Sequence, residues 1–229
     1  MRMTPASDSA LLVRFGESIS LEAHRRVIAL YQAFERRRDD RIRNLHPAYA
    51  TLLIDFDPLS ATHHELENLV LSLSSELEGP EIWGTEPIEI PVCYEAEFAP
   101  DLENVAQYLR MTPEQVVSLH ASGEYRVYFL GFSPGFAYLG GLPQALRVPR
   151  LETPRTHVRA GSLGLAGEQT GIYPNDSPGG WQLIGRTPER MFDPSQDPAS
   201  RLRPGDRIRF KRIGRGEFEQ LARDQGRSD

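Results

Sequence analysis

The chain has 229 residues, of which 39% are hydrophobic and 25% charged, so it can bury a sizeable core and global disorder is not expected. The net charge of -6 argues against a general nucleic-acid binder, and no apolar run is long enough to span a membrane. Cys93 is the only cysteine and the N-terminus lacks a signal-peptide pattern, so we expect a cytoplasmic protein without an internal disulfide.

The first third of the chain alternates strand and helix patterns. In chain order, these patterns predict strands over 10–15, 41–49 and 51–58 and helices over 20–37 and 60–79. Ser20 precedes the first helical pattern and is its predicted N-cap. The order β-α-β-β-α predicts a ferredoxin-like α/β domain over residues 1–84, which the next strand would complete.

Residues 79–87 hold glycines and prolines between periodic segments, so we place a domain boundary there and assign a second domain to residues 85–229. Its patterns predict strands over 88–94, 124–132 and 207–213 and helices over 101–111 and 112–120. Thr112, Pro113 and Gln115 fit a capping box at the start of the second helix.

The segment from Gly131 to Gly185 carries eleven of the 19 glycines, and helical periodicity is absent there. Short apolar pieces separated by glycine and proline turns predict a β-barrel or sandwich. The fold class expected for the whole chain is therefore α+β, with an α/β domain followed by a β-rich domain. The last residues, 222–229, are expected to fray.

The first residues of this segment, GFSPG, have the spacing of a nucleophile elbow around Ser133. In that motif, the residue after the serine donates its backbone N–H to an oxyanion. Here that residue is Pro134, which has no N–H, and the glycines that follow cannot start a helix. Ser133 is therefore not predicted to be a catalytic nucleophile.

Polar groups suited to a small ligand crowd into the same glycine-rich segment. Arg155 and Arg186 offer bidentate forks for a carboxylate or phosphate, and Gln169 and Tyr173 can hydrogen-bond an amide. The aromatic side chains that could wall a pocket for a flat ligand are Phe132, Phe136, Tyr138 and Trp181.

Two common kinds of site are not predicted. The six histidines and the single cysteine lack the spacing of metal ligands, so no metal site is expected. No P-loop motif exists, and 25 of the 26 basic residues are arginine, with Lys211 the only lysine.

Four motifs carry a resemblance to a known family: YRVYFLGFSPGFAYLGGLP, TPRTHVRAGSLGLAGEQTGIYPNDSPGGWQLIGRTP, MFDP and LRPGDRIRF. Together they resemble the family of B-type subunits of bacterial 5-oxoprolinase (PxpB), also called the allophanate hydrolase subunit 1 or KipI kinase-inhibitor family. The resemblance is specific over residues 88–213 and looser over the N-terminal third. It implies an N-terminal α/β domain and a C-terminal cyclophilin-like β-barrel, similar to a carboxyltransferase subdomain, with Ser133 in a variable position of the motif.

The resemblance also implies a hydrolase function. The B-type subunit works with a C-type subunit, which is KipA-like, and with an A-type subunit. Together they open the lactam of 5-oxoproline to L-glutamate at the expense of ATP, at a site expected to be shared between them. On this basis His120, Gln169 and Tyr173 are the predicted catalytic residues, with His120 as a proton carrier, while a buried capping role for His120 stays open. The predicted substrate-binding residues are Phe132, Pro134, Phe136, Arg155, Ser177, Trp181 and Arg186.

Two departures from the family pattern bear on the substrate. Arg159 replaces a common proline, and Glu168 replaces a glycine beside Gln169. Glu168 would repel an anionic substrate or pair with Arg155 or Arg159. Three other functions stay open: a KipI-type protein inhibitor of a histidine kinase, a subunit of an allophanate or urea amidolyase-like enzyme, and, by analogy of fold alone, a prolyl isomerase.

Overall fold

The computed structural model describes residues 1–76 and 86–225. The chain divides into two compact units, Met1–Trp83 and Gly84–Asp229. The predicted boundary between residues 84 and 85, and the predicted end of the second helix near residue 79, lie outside the described residues. Within the described parts, no helix combines the length and the apolar character needed to cross a membrane.

The first unit is a four-stranded antiparallel sheet with two helices. Its elements are β1 (Arg2–Ser7), β2 (Ala10–Arg14), α1 (Leu21–Arg37), β3 (Ile42–Pro47), β4 (Thr51–Phe56) and α2 (His63–Glu76), and the strand order is β1-β2-β4-β3. Ser20 caps α1 as predicted, because its side chain accepts a hydrogen bond from the backbone N–H of Ala23. Alternate residues of β4, among them Leu52 and Ile54, are fully buried against the helices.

The predicted ferredoxin-like domain is not confirmed. The fourth strand of the sheet is β1, at the start of the chain, whereas residues 88–93 belong to the second unit. Sequence reasoning missed β1 because this edge strand is almost wholly exposed and has no alternating apolar pattern.

The second unit is built around a closed seven-stranded barrel, so the predicted β-barrel is confirmed, while its cyclophilin-like identity stays a prediction. The barrel strands are β5 (Ile88–Cys93), β6 (Tyr125–Leu130), β7 (Ala137–Gly140), β9 (Ser162–Ala166), β10 (Gln169–Ile172), β12 (Gln182–Arg186) and β13 (Arg207–Ile213). The remaining elements are α3 (Leu102–Leu109), α4 (Pro113–Ala121), β8 (Arg155–Val158), β11 (Ser177–Gly179) and α5 (Arg215–Asp224). The strands β8 and β11 pair with each other as a separate two-stranded ribbon.

The barrel wall separates two apolar clusters. Along β9, Leu163 and Leu165 belong to the main core inside the barrel, whereas Ala166 belongs to a second cluster on the outer side. The neighbouring strand β10 is in antiparallel register with β9, with Thr170 opposite Leu165 and Gln169 opposite Ala166. Because side chains alternate along a strand, Thr170 points inward and Gln169 outward.

The start of α4 and the end of α5 test two predictions made from local sequence patterns. The capping box of α4 is present, with the Thr112 hydroxyl accepting from Gln115 N–H and the Gln115 side chain accepting from Thr112 N–H. The expectation of a frayed tail is wrong for residues 222–224, because α5 extends to Asp224 and buries Ala222 beside Phe218.

Candidate functional site

The GFSPGF motif forms the connection between β6 and β7. The Phe136 N–H donates to the Ser133 carbonyl and the Gly131 N–H donates to the Phe136 carbonyl, both at 3.0 Å. Gly135 has a φ of +82°, and a Cβ atom there would meet the Phe192 side chain at 2.6 Å. The chain then returns as the strand β7, so no helix follows Ser133 and the rejection of a nucleophile elbow is confirmed.

Phe132, at the tip of this turn, is exposed and has an unusual backbone conformation. Its φ is +69° and 67% of the residue is accessible to solvent. The ring contacts Phe136 edge to face at 5.6 Å between centroids. Pro134 is also exposed, and its carbonyl accepts a hydrogen bond from the Asn175 side chain at 3.4 Å, which ties the turn to the loop before β11.

The structure brings three predicted site residues, the pocket-wall residues Phe136 and Trp181 and the catalytic candidate Tyr173, into one buried aromatic cluster on the outer face of the barrel. Phe136 contacts the rings of Tyr173 and Trp181 edge to face, at 5.3 and 5.5 Å between centroids. Glycines make room for these rings: a Cβ on Gly164 would meet Trp181 at 2.9 Å, and one on Gly171 would meet it at 3.1 Å. The three rings therefore pack against each other rather than lining an open pocket.

Gln169 begins β10 and Tyr173 directly follows its last residue, and both lie on this outer face. Gln169 shares its side of the strand with Gly171, which faces the Trp181 ring. The Tyr173 hydroxyl is covered by Gly179 and lies near the backbone of Trp181. Burial raises the pKa of Tyr173. Of these two residues, Gln169 is the more accessible to a ligand.

Arg155 is held by a carboxylate that sequence reasoning missed. Its guanidinium donates to Asp101 at 2.5 Å and to the Trp181 carbonyl at 3.4 Å. The other oxygen of Asp101 accepts from the Leu183 N–H at 2.6 Å, and Asp101 is buried at the start of α3. Arg155 therefore fixes the start of β12 and the position of Trp181, and its charge is already balanced.

Arg186 and Ser177 complete the predicted binding residues. The Arg186 guanidinium donates to the Ala160 carbonyl at 3.0 Å and lies 5.7 Å from the Phe218 ring centroid. Arg186 is the last residue of β12, whereas Arg155 lies beside the first residue of that strand. The two ends of β12 are about 13 Å apart, so the two arginines are not brought together. The Ser177 hydroxyl oxygen is buried and has no hydrogen-bond partner within the described residues.

Arg150 is a cation at the aromatic cluster that no motif in the sequence indicated. It is exposed, and its guanidinium carbon lies 6.0 Å from the centroid of the Trp181 ring. Its charge acts on Tyr173, where it lowers the pKa against the larger effect of burial. Within the described residues, no carboxylate pairs with Arg150, so this guanidinium can bind an external anion.

His120 lies inside the barrel, in a chain of hydrogen bonds. The Thr170 hydroxyl donates to the Gly164 carbonyl at 3.0 Å, so its oxygen accepts from His120 Nε2–H at 3.1 Å. Nδ1 of the neutral ring then accepts from the Tyr94 hydroxyl at 3.0 Å. The ring also stacks on Phe210 at 4.8 Å. All polar atoms of this imidazole are satisfied by the core.

The surroundings of His120 keep it neutral and away from the outer face. Burial lowers its pKa to about 3. Its partner Thr170 points into the barrel, whereas Gln169 points out, so the strand β10 separates the histidine from the aromatic cluster. Sequence reasoning left a proton carrier and a buried structural role open, and this placement favours the structural role.

The two departures from the family motif do not interact as predicted. Glu168 pairs with Arg147 at 2.6 Å, not with Arg155 or Arg159. This ion pair joins the β9–β10 turn to the segment before β8. The two residues are far apart in the sequence, so the sequence alone did not predict their pairing. Arg159 is exposed.

The described residues contain no group of three or more His, Cys, Asp or Glu side chains that could hold a metal ion. Two clefts of about 500 Å³ in the barrel unit are each lined by several charged side chains. One is bordered by Glu95, Glu103, Glu114 and Arg212. The other is bordered by Arg190, Asp193, Asp197 and Arg201. Neither includes the predicted site residues.

Comparison with known proteins places the chain among carboxyltransferase-like proteins. Residues 1–202 match the family model of the carboxyltransferase domain, subdomain C and D. The chain is 38% identical over 225 residues to the B-type subunit of 5-oxoprolinase from Bacillus subtilis, covering 92% of both chains. It is 39% identical to the corresponding 5-oxoprolinase subunit from Haemophilus influenzae, covering 92% of this chain and 97% of that protein. The resemblance seen in the motifs is confirmed.

Longer proteins contain a similar unit. The solved structure of TTHA0988 superposes with a TM-score of 0.80 and 40% identity over 89% of this chain, which spans only 40% of that protein. Urea amidolyase of Saccharomyces cerevisiae is 22% identical over 96% of this chain, which corresponds to 14% of its length.

Proposed function

The chain belongs to the carboxyltransferase domain, subdomain C and D, family, and we propose that it is the B-type subunit of an ATP-dependent 5-oxoprolinase. In this function, it acts with the A-type and C-type subunits to open the lactam of 5-oxoproline to L-glutamate. The observation that carries the proposal is its similarity to two proteins named as B-type subunits of 5-oxoprolinase, over more than 90% of every chain compared.

The outer aromatic face offers the groups that such a substrate needs. A lactam is a poor electrophile. With ATP as co-substrate, its carbonyl oxygen would be phosphorylated with release of ADP, and positive charge would develop at the ring nitrogen. Water would then add to the ring carbon, the C–N bond would break and phosphate would be released. Gln169, on the outer side of β10, has an amide that can donate to the carbonyl or accept from the ring N–H. Arg150, exposed over Trp181, can bind the carboxylate of 5-oxoproline.

The same face supports a site shared with another subunit. Arg155 and Arg186 are engaged by protein groups, and Lys211, the single lysine, lies 3.7 Å from Glu217. The sequence has no P-loop. Triphosphate binding needs several cationic or backbone donors, so we assign most of the ATP contacts to the partner subunits.

A second candidate is the opening of another amide, as in an allophanate or urea amidolyase-like enzyme. The similarity to urea amidolyase, which extends over 96% of this chain, favours this alternative over unrelated functions. The two candidates differ in the substrate and not in the face of the barrel that binds it.

Release of ADP with 5-oxoproline, and release of ammonia with allophanate, test the two candidates in the purified chain, alone and with the partner subunits. We expect turnover of 5-oxoproline only when the A-type and C-type subunits are added, and its loss in Gln169→Ala while the complex still assembles. Turnover of allophanate alone would favour the second candidate. No turnover of either substrate by a folded, assembled complex would exclude both.

A further inference from the structure

Tyr128 lies at an irregularity in the strand β6. Val127 pairs with Leu139 of β7, and Phe129 pairs with the next residue along β7, Tyr138, so Tyr128 is one residue in excess. This is the arrangement of a β-bulge, in which two residues of one strand lie opposite one residue of the other. Bulges are common next to active sites, where they re-aim a side chain, so the direction of the Tyr128 side chain bears on function.

The side chain of Tyr128 lies over Gly140, on the outer face of the barrel. Phe129 takes the place opposite Tyr138, where the two rings stack at 4.5 Å between centroids. A Cβ atom on Gly140 would collide with the ring and the hydroxyl of Tyr128, so the phenol lies directly over this glycine. Gly140 and Tyr138 share the outer side of β7, because Leu139 between them belongs to the core. The Tyr128 hydroxyl therefore lies outside the barrel wall.

Gln169 is the neighbour of Gly140 across the sheet. In the antiparallel register of β7 and β10, Thr170 pairs with Leu139. Continued by one residue, this register places Gln169 opposite Gly140, with their Cα atoms about 5 Å apart. Because Tyr128 covers Gly140, its hydroxyl lies beside the residue that we propose for binding the substrate amide. Tyr128 is only partly buried, so a ligand at Gln169 can reach it.

The surroundings of Tyr128 keep its hydroxyl protonated and place it in a negative potential. Burial raises the pKa of this phenol, and the charge of Glu168, which precedes Gln169, raises it further. The neutral hydroxyl keeps lone pairs that can accept a hydrogen bond. A negative potential at its oxygen favours a donor on which positive charge develops during the reaction.

From this geometry, we infer that Tyr128 binds the ring N–H of the lactam, with its hydroxyl oxygen as the acceptor. The inference rests on the proposed function, because it takes the ligand to be 5-oxoproline. Gln169 then donates to the lactam carbonyl, since the ring N–H is already engaged. When phosphorylation of the carbonyl oxygen draws positive charge onto the ring nitrogen, the hydrogen bond to Tyr128 strengthens. It therefore stabilises the transition state more than the bound substrate.

Tyr128 is better placed for this contact than Tyr173, the tyrosine that the sequence indicated. The hydroxyl of Tyr173 is covered by Gly179, whereas Tyr128 is partly exposed. The alternative is that Tyr128 only fills the space over Gly140. That role needs the ring and not the hydroxyl, so a variant that lacks only the hydroxyl separates the two roles.

Two variants disturb the contact in different ways. Tyr128→Phe keeps the ring and deletes the hydroxyl, whereas Gly140→Ala keeps the hydroxyl and displaces it with the added Cβ atom. We expect each to lower kcat for 5-oxoproline about tenfold in the complex assembled with the A-type and C-type subunits, with little change in KM, measured by ADP release. Tyr128→Phe should melt at the same temperature as the wild type.

Matched controls are available elsewhere in the chain. Tyr108→Phe removes a hydroxyl from an exposed tyrosine on α3, and Gly216→Ala adds a Cβ atom where there is open space. Both should have the kcat of the wild type.

The outcomes distinguish this inference from the proposed function. A wild-type kcat in Tyr128→Phe, whatever the effect of Gly140→Ala, would overturn the inference and leave the proposed function intact. A higher KM with an unchanged kcat would also overturn it, because the contact would then not strengthen during the reaction. If the wild-type complex does not turn over 5-oxoproline, the proposed function fails, and the inference about its ring N–H fails with it.

Discussion

The inside and the outer face of the barrel use similar residues in opposite ways. Inside, the polar groups of Tyr94, His120 and Thr170 satisfy each other in one chain, and the surrounding side chains are apolar. On the outer face, Arg150 is exposed without a carboxylate partner in the described part of the chain, and Phe132 projects into solvent. A ligand site needs groups that are not already satisfied within the protein, so we expect the functional site on the outer face. The titratable residue His120, which the sequence suggested as a catalytic group, lies inside the barrel instead.

The largest effect that this comparison predicts is on stability, at the ion pair that supports the outer face. Asp101→Ala leaves Arg155 without its buried partner and the Leu183 N–H without an acceptor. We expect it to reduce the free energy of unfolding by about 3 kcal/mol, measured by urea denaturation. The exposed Glu217, which pairs with Lys211, provides the control, and its alanine variant should unfold like the wild type. Equal effects of the two variants would show that Asp101 does not organise this face.

A smaller loss of stability is expected where the aromatic cluster lies on the barrel. A Cβ on Gly171 would meet the Ala137 carbonyl at 3.0 Å and the Trp181 ring at 3.1 Å. Gly171→Ala should therefore shift the rings and reduce the free energy of unfolding by about 1–3 kcal/mol in chemical denaturation. Gly216, in α5, has open space around its Cβ position, so Gly216→Ala should be slightly stabilising. If Gly171→Ala has the same free energy of unfolding and the same tryptophan fluorescence as the wild type, the packing of Gly171 against the Trp181 ring is contradicted.

Arg150 tests whether the exposed cation binds substrate. Removal of a charge-assisted hydrogen bond to a carboxylate costs about 1.5 kcal/mol, so Arg150→Ala should raise KM for 5-oxoproline about tenfold with little change in kcat. Steady-state kinetics of the assembled complex provide the measurement. Arg147, three residues earlier, pairs with Glu168, and Arg147→Ala is the matched control with an unchanged KM. A KM that rises equally in both variants would mean that only the general charge of this segment matters.

At neutral pH the titration of His120 has the smallest effect, because it changes stability only as the pH falls, and it reports on the barrel interior. The pKa of His120 is lowered from 6.5 to about 3 by burial, so between these values the unfolded chain binds a proton that the folded chain does not. Stability is therefore complete above pH 6.5 and is lost as the pH falls toward 3, by up to about 1.4 kcal/mol per pH unit.

His120→Phe keeps an aromatic ring on Phe210 and removes this titration. Its free energy of unfolding should fall less steeply than that of the wild type as the pH is lowered from 6.5 toward 3. Equal slopes would indicate that His120 titrates normally and is accessible to protons from solvent.

Local features of the fold were predictable from the sequence, and long-range ones were not. The Ser20 N-cap and the capping box at Thr112 depend on residues within three positions of each other, so the chain itself carries the signal. The pairing of Arg155 with Asp101, 54 residues away, depends on how β8 meets α3, and no local pattern encodes it. The exposed edge strand β1 was missed because nothing in its sequence alternates.

The candidate site shows the same limit. The glycine-rich segment predicted that Phe136, Tyr173 and Trp181 belong to one site. It did not predict that their rings would pack together and fill the space between them. A histidine near the motif suggested a proton carrier, and only the register of β10 showed that it faces the core. Arg150 carries no motif, so its exposure over Trp181 could be found only in the structure.

The most direct test of the outer face as the functional one is the rate of 5-oxoproline-dependent ADP release by the assembled complex, compared between Gln169→Ala and His120→Phe. Gln169 lies on the outer side of β10. His120 lies on the inner side of the barrel wall, where it hydrogen-bonds to Thr170 of the same strand. We expect Gln169→Ala to lose turnover and His120→Phe to retain it with an unchanged pH profile. Retained turnover in Gln169→Ala together with loss in a folded, assembled His120→Phe complex would contradict this account and place the chemistry inside the barrel.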